Sequence, residues 1–129
     1  MITPVLFLFT QVISVDSNNV DCDKLMTDHH IAECLDEKTY AIDIKIEAKI
    51  TTLAEEAVSI ADDNNEIDDK FRKSRKDEIQ GSAQHWFAYR DAVCLSDPDL
   101  NIGGTLGLIT QAYCRLELSE KQLKDLDDL

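Results

Sequence analysis

Glycine and proline are scarce, with four and two in 129 residues. A β-sandwich or barrel needs a turn roughly every 8–12 residues, and this chain has too few turn residues for one. Positive charge is scarce as well: 13 Lys and Arg face 26 Asp and Glu, a formal net charge of −13. Phosphate binding needs clustered Lys and Arg, so nucleic acid is excluded as a partner and an anionic membrane surface is disfavoured. No apolar run is long enough to span a bilayer. There is no Cys-x-x-Cys spacing, which argues against a zinc site. No Gly-rich phosphate loop and no Ser-His-Asp or Cys-His arrangement can be read. With so many acids, carboxylate pairs are inevitable and carry no signal for glycosidase chemistry. The chain does not read as an enzyme, and no cofactor or metal is expected.

What is present is a normal globular balance, 43% hydrophobic and 30% charged, in a length that suits one domain. Residues 1–15 carry no charge, and Pro4 to Phe9 reads Pro-Val-Leu-Phe-Leu-Phe. This fits the apolar part of a secretory signal, although the usual basic start is missing. Ser14 offers a small residue for cleavage. The expected division is a signal peptide over 1–14 and a single helical domain over 15–129, placed in the periplasm or secreted. No membrane insertion is expected after cleavage. Asp21 before Cys22 argues against a lipid-attachment site. Four cysteines behind a signal-like segment read as two disulfides. Three pairings exist; the order along the chain favours Cys22–Cys34 and Cys94–Cys114, because each pair brackets a compact segment.

The periodicity predicts an all-α fold: a long antiparallel helical hairpin with shorter C-terminal helices beside it. Thr27 or Asp28 can cap the first helix. Ile31, Leu35, Ile42, Ile46, Ile50, Leu53, Ala57 and Ile60 then recur in steps of three, four and seven. Ile44 and Ala48 widen that stripe, which predicts cover on more than one side. No Gly or Pro interrupts Asp28 to Ala61. Asp62-Asp63-Asn64-Asn65 suits the hairpin connection. The second helix carries Ile67, Phe71, Ile79, Ala83, Trp86, Phe87 and Val93 and should run to about Cys94. Arg72, Lys73, Arg75 and Lys76 are its dense basic patch, and Gly81-Ser82 marks close packing or a kink. A third helix starts after Thr105 with Leu106, Ile109, Tyr113 and Leu116. Ser119-Glu120-Lys121-Gln122 has the form of a capping box, which predicts a separate terminal helix with Leu123 and Leu126.

Few residues carry chemistry. His29 and His30 point about 100° apart on a helix and cannot share an ion from one face. Asp62, Asn64, Glu66 and Asp68 echo a calcium loop, but Ile67 and Lys73 stand where glycine and glutamate are needed. His85 could serve as a general base, yet no nucleophile is marked. Trp86 and Arg90 are i and i+4 neighbours, so the guanidinium can lie on the indole. Arg90 can also pair across the helices with a carboxylate such as Asp43. Trp86 and Tyr89 are either core or interface anchors. The Leu95 to Tyr113 segment is the binding candidate, with Asp97, Asp99, Asn101, Ile102, Gly103, Gly104 and Thr105 as its residues. Loops pinned on rigid scaffolds are where binding usually lives.

Several elements together resemble the LprI-type lysozyme-inhibitor family of bacterial envelope proteins. They are Asp21-Cys22, Cys34, Tyr40 with Asp43, and Trp86-x-x-Tyr89-Arg90-Asp91-x-x-Cys94. Gly103-Gly104-Thr105, Cys114, and Leu118-Ser119 followed by Leu123 complete the set. The chain departs from that pattern at Ile46-Glu47, Ile50, Ala83 and Gln122. The resemblance implies a secreted or periplasmic protein-binding module that inhibits lysozyme-type muramidases, which are commonly basic. An acidic surface would be steered to such a partner. Two other readings stand beside it: an immunity or envelope interaction protein with a different protein partner, and a small hydrolase built on His85.

Overall fold

The computed structural model describes residues 21–63, 68–96 and 105–129. The signal-like segment and the candidate loop residues Asp97, Asp99, Asn101, Ile102, Gly103 and Gly104 lie outside them. Three helices carry the described chain: α1 (Asp28–Asp63), α2 (Asp69–Ser96) and α3 (Thr105–Asp127). A short 3-10 helix, Cys22–Lys24, precedes them, where the sequence predicts an extended lead-in. No strand occurs among the described residues. The all-α class and both disulfides, Cys22–Cys34 and Cys94–Cys114, are as the sequence predicts.

Local chemistry sets the helix starts. The Thr27 hydroxyl accepts from the His30 amide at 3.2 Å, capping α1. The Asp68 carboxylate accepts from the Phe71 amide at 2.8 Å and caps α2. Inside α1, Thr39 and Thr52 turn their hydroxyls back to the carbonyls of Leu35 and Ala48, so neither competes with the helix. The alternating isoleucines are helical too, with Ile46 fully buried and Ile44 51% exposed.

Helix α1 is the spine. It packs against both other helices, and the α2–α3 contact is smaller. Cross-helix pairs Glu47–Gln84 and Asp43–Arg90 fix α1 and α2 as antiparallel neighbours. Two apolar clusters form along α1. One joins Cys22, Ala32, Leu35, Ala112 and Leu116 beside the first disulfide. The other joins Ile46, Ile50 and Ala83, with Ile79, Trp86, Phe87, Leu123 and Leu126 packed on it. Each fully buried Leu or Ile contributes about 1.5–3 kcal/mol. The small residues Ala32, Ala83 and Ala112 sit at the contacts, where they let the helices approach.

Four local expectations are corrected. The C-terminal part is one continuous 23-residue helix, not two shorter ones. Ser119 does not cap; it lies mid-helix and fully buried, its hydroxyl turned to a tertiary partner. Gly81 marks no close packing, since a Cβ built there would meet nothing within 4 Å. Ile44 and Ala48 are exposed, so the buried stripe of α1 does not widen to include them, although both α2 and α3 pack against the helix.

Candidate functional site

Between the two apolar clusters the helices meet on a polar network. Arg90 of α2 has a side chain only 7% exposed. Its Nη1 donates to both oxygens of Asp43 on α1 at 2.7 Å and to the Ser119 hydroxyl on α3 at 2.9 Å. Ser119 in turn donates to Asp43 Oδ1 at 2.9 Å. Nε and Nη2 of Arg90 each reach Asp91 Oδ1 at 2.9 Å. The guanidinium also lies over Trp86 and Phe87, at 5.6 and 5.2 Å from the ring centroids. Every face of the buried cation is thus engaged, as a desolvated charge requires.

This network is the floor of an open groove of ≈ 470 Å³, lined by Asp36, Thr39, Tyr40, Asp43, Arg90, Asp91, Leu95 and Arg115. Asp36 on α1 and Arg115 on α3 pair across it at 2.7 Å. Tyr40 and Leu95 stand at its edge, 68% and 56% exposed. Among the described residues no group of three or more His, Cys, Asp or Glu side chains is placed to hold a metal ion.

The sequence motif residues Asp43, Arg90 and Asp91 are brought together here, and the Asp43–Arg90 pair read from the sequence is formed. Trp86 is half-buried against the core, whereas Tyr89 is 64% exposed and is not among the groove residues. Thr105 begins α3. Sequence reasoning missed Asp36 and Arg115, did not place Tyr40 at the surface, and named Leu95 only as the start of the candidate binding segment. Tyr40, Asp36 and Asp43 sit at i, i−4 and i+3 on one helix, a spacing that could have flagged a shared edge. His29 pairs with Glu33, and His30 with Thr27. His85 is exposed and also apart from the groove. The basic patch is partly neutralised within α2, since Arg72 pairs with Asp69 and Arg75 with Glu78.

A family model described as Lysozyme inhibitor LprI matches residues 22–126, which is most of the chain. The chain belongs to the LprI lysozyme-inhibitor family. No curated protein and no solved structure matches it. The LprI match covers both disulfides, all three helices and the groove. The residues whose spacing resembles the LprI pattern, Tyr40, Asp43, Arg90, Asp91 and Ser119, converge on this one site. In LprI terms the inhibitor function is a family-level assignment. No helix among the described residues is long and apolar enough to cross a membrane.

Proposed function

We propose that this protein is an exported binding module that inhibits lysozyme-type muramidases by docking on them electrostatically and occluding the substrate cleft. The observation that carries this reading is the LprI family match over residues 22–126. Two physical features support it. The net charge of −13 favours fast encounter with a basic protein. Two disulfides in a small helical scaffold suit an oxidising compartment, the periplasm or the exterior.

The contact assigned in this reading is the segment around Asp97, Asp99, Asn101 and Ile102 to Thr105. The Cys94–Cys114 bridge holds the helices that flank it, with Cα atoms 5.7 Å apart. In this reading Asp97 and Asp99 would meet cations at the cleft rim, and the Ile102 to Leu106 stretch would pack at its edge. The test is association with a basic c-type lysozyme, followed by stopped flow for the wild type and for Asp97→Lys/Asp99→Lys. The double variant should associate at least several-fold more slowly and with a weaker salt dependence. Unchanged association and inhibition would remove the segment from the mechanism. An immunity role would be favoured instead if no lysozyme were bound and a toxin gene stood beside this one.

A further inference from the structure

The groove between α1, α2 and α3 has features that network stability alone does not require. Arg90 is fully engaged below the surface, so the exposed rim is free to do something else. That rim is apolar at Tyr40 and Leu95. Ile44, one turn from Tyr40 on α1, extends the apolar edge and is 51% exposed. Its position fits the periodicity of a second buried stripe, yet nothing among the described residues covers it. The rim is also acidic. Asp36 and Asp91 are each about half exposed, and each uses Oδ1 for its arginine. Among the described residues no donor reaches Oδ2 of either carboxylate. Glu33 and Glu37 are exposed on the same side of α1, at i−7 and i−3 from Tyr40. The two arginines in the groove are both committed to carboxylates.

We propose that this groove is a docking site for a basic side chain of a protein partner, with Asp36 and Asp91 receiving the cationic head and Tyr40, Ile44 and Leu95 packing on its aliphatic stem and the surface around it. Lys and Arg bury their stems on apolar surface while the charge finds carboxylates, which is the chemistry this rim offers. An exposed Tyr beside an aliphatic residue and paired acids also has the composition of an interface anchor. Along the chain Leu95 lies two residues before Asp97, where the segment proposed above as the contact begins. The inference rests on the proposed inhibitor function for the identity of the partner, but not for the geometry of the groove.

The test has two arms on the oxidised full chain. The first measures inhibition of a basic c-type lysozyme by the wild type, by Tyr40→Ala/Leu95→Ala and by Ile44→Glu. These side chains are exposed, so folding should be retained, and circular dichroism checks it. A tenfold or greater loss of inhibition in the variants supports the groove. Inhibition unchanged within twofold overturns it while leaving the inhibitor function in place. The second arm titrates the isotope-labelled protein with a tetra-arginine peptide and follows amide shifts. Shifts confined to the residues around Asp36, Tyr40, Asp91 and Leu95 support the groove even if the wild type inhibits no lysozyme. In that case the inhibitor function alone fails. Shifts scattered over all acidic surfaces overturn the groove.

Discussion

Replacing Asp43 with alanine removes the carboxylate that Arg90 and Ser119 share. Three contacts vanish: two from Arg90 Nη1 at 2.7 Å and one from Ser119 at 2.9 Å. The Arg90 side chain is only 7% exposed in the intact molecule. It keeps Asp91 on its other edge and the Ser119 hydroxyl as an acceptor, while Ser119, fully buried, loses the carboxylate it donates to. Breaking a buried ion pair from one side costs about 3–5 kcal/mol, because the remaining charge is stranded. Asp43 is 17% exposed and Asp91 remains, so the lower end applies, about 3 kcal/mol. For a domain of this size that lowers Tm by about 12 °C. Urea unfolding under oxidising conditions is the assay, with the midpoint falling and the slope unchanged. The pair Asp43→Leu/Arg90→Met removes both charges together. It should cost less than the sum of its single changes by about 2 kcal/mol, since neither charge is then stranded. A loss below about 0.5 kcal/mol for Asp43→Ala would refute the claim that this network fastens the three helices, because that is the range of an ordinary surface change.

Other expectations follow from burial and backbone. Ile46→Ala should cost about 2–5 kcal/mol in urea unfolding, whereas Ile44→Ala on the exposed edge should stay within about 0.5 kcal/mol. Equal losses would contradict the burial pattern. Gly81→Ala should stabilise by about 0.5–1 kcal/mol, since α2 has open space there and alanine is the better helix former; destabilisation would mean that something packs against it. Cys94→Ser/Cys114→Ser should lose about 3 kcal/mol from a bridge spanning 20 residues, in the chain-entropy model. Thermal denaturation of the oxidised wild type and the variant measures it, and equal midpoints would show that the bridge adds nothing.

The parts of the fold legible in the sequence are those written in local pattern. Thr27 as a cap, an uninterrupted α1 and the hairpin follow from period, caps and the absence of breakers. The cysteine order gave the right pairing because each pair closes within one compact unit. Asp43–Arg90 was legible because the Trp86 to Arg90 spacing put a cation on a core-facing edge that needed a carboxylate. Ser119 misled because a capping box and a buried hydroxyl use the same residues. Only the tertiary partners Asp43 and Arg90 decide between them. Ile44 misled for a related reason: periodicity marks an apolar face but cannot say whether the chain has an element left to cover it. The groove was invisible because Asp36, Tyr40, Leu95 and Arg115 come from three helices and form no contiguous motif.

The proposed function is inhibition of a muramidase through charge-steered binding. The most direct measurement is the activity of a basic c-type lysozyme against increasing amounts of the oxidised protein, at low and at moderate salt. Charge-steered docking should give saturable inhibition that weakens as salt rises. Full lysozyme activity at micromolar protein, with both disulfides confirmed intact, would contradict it.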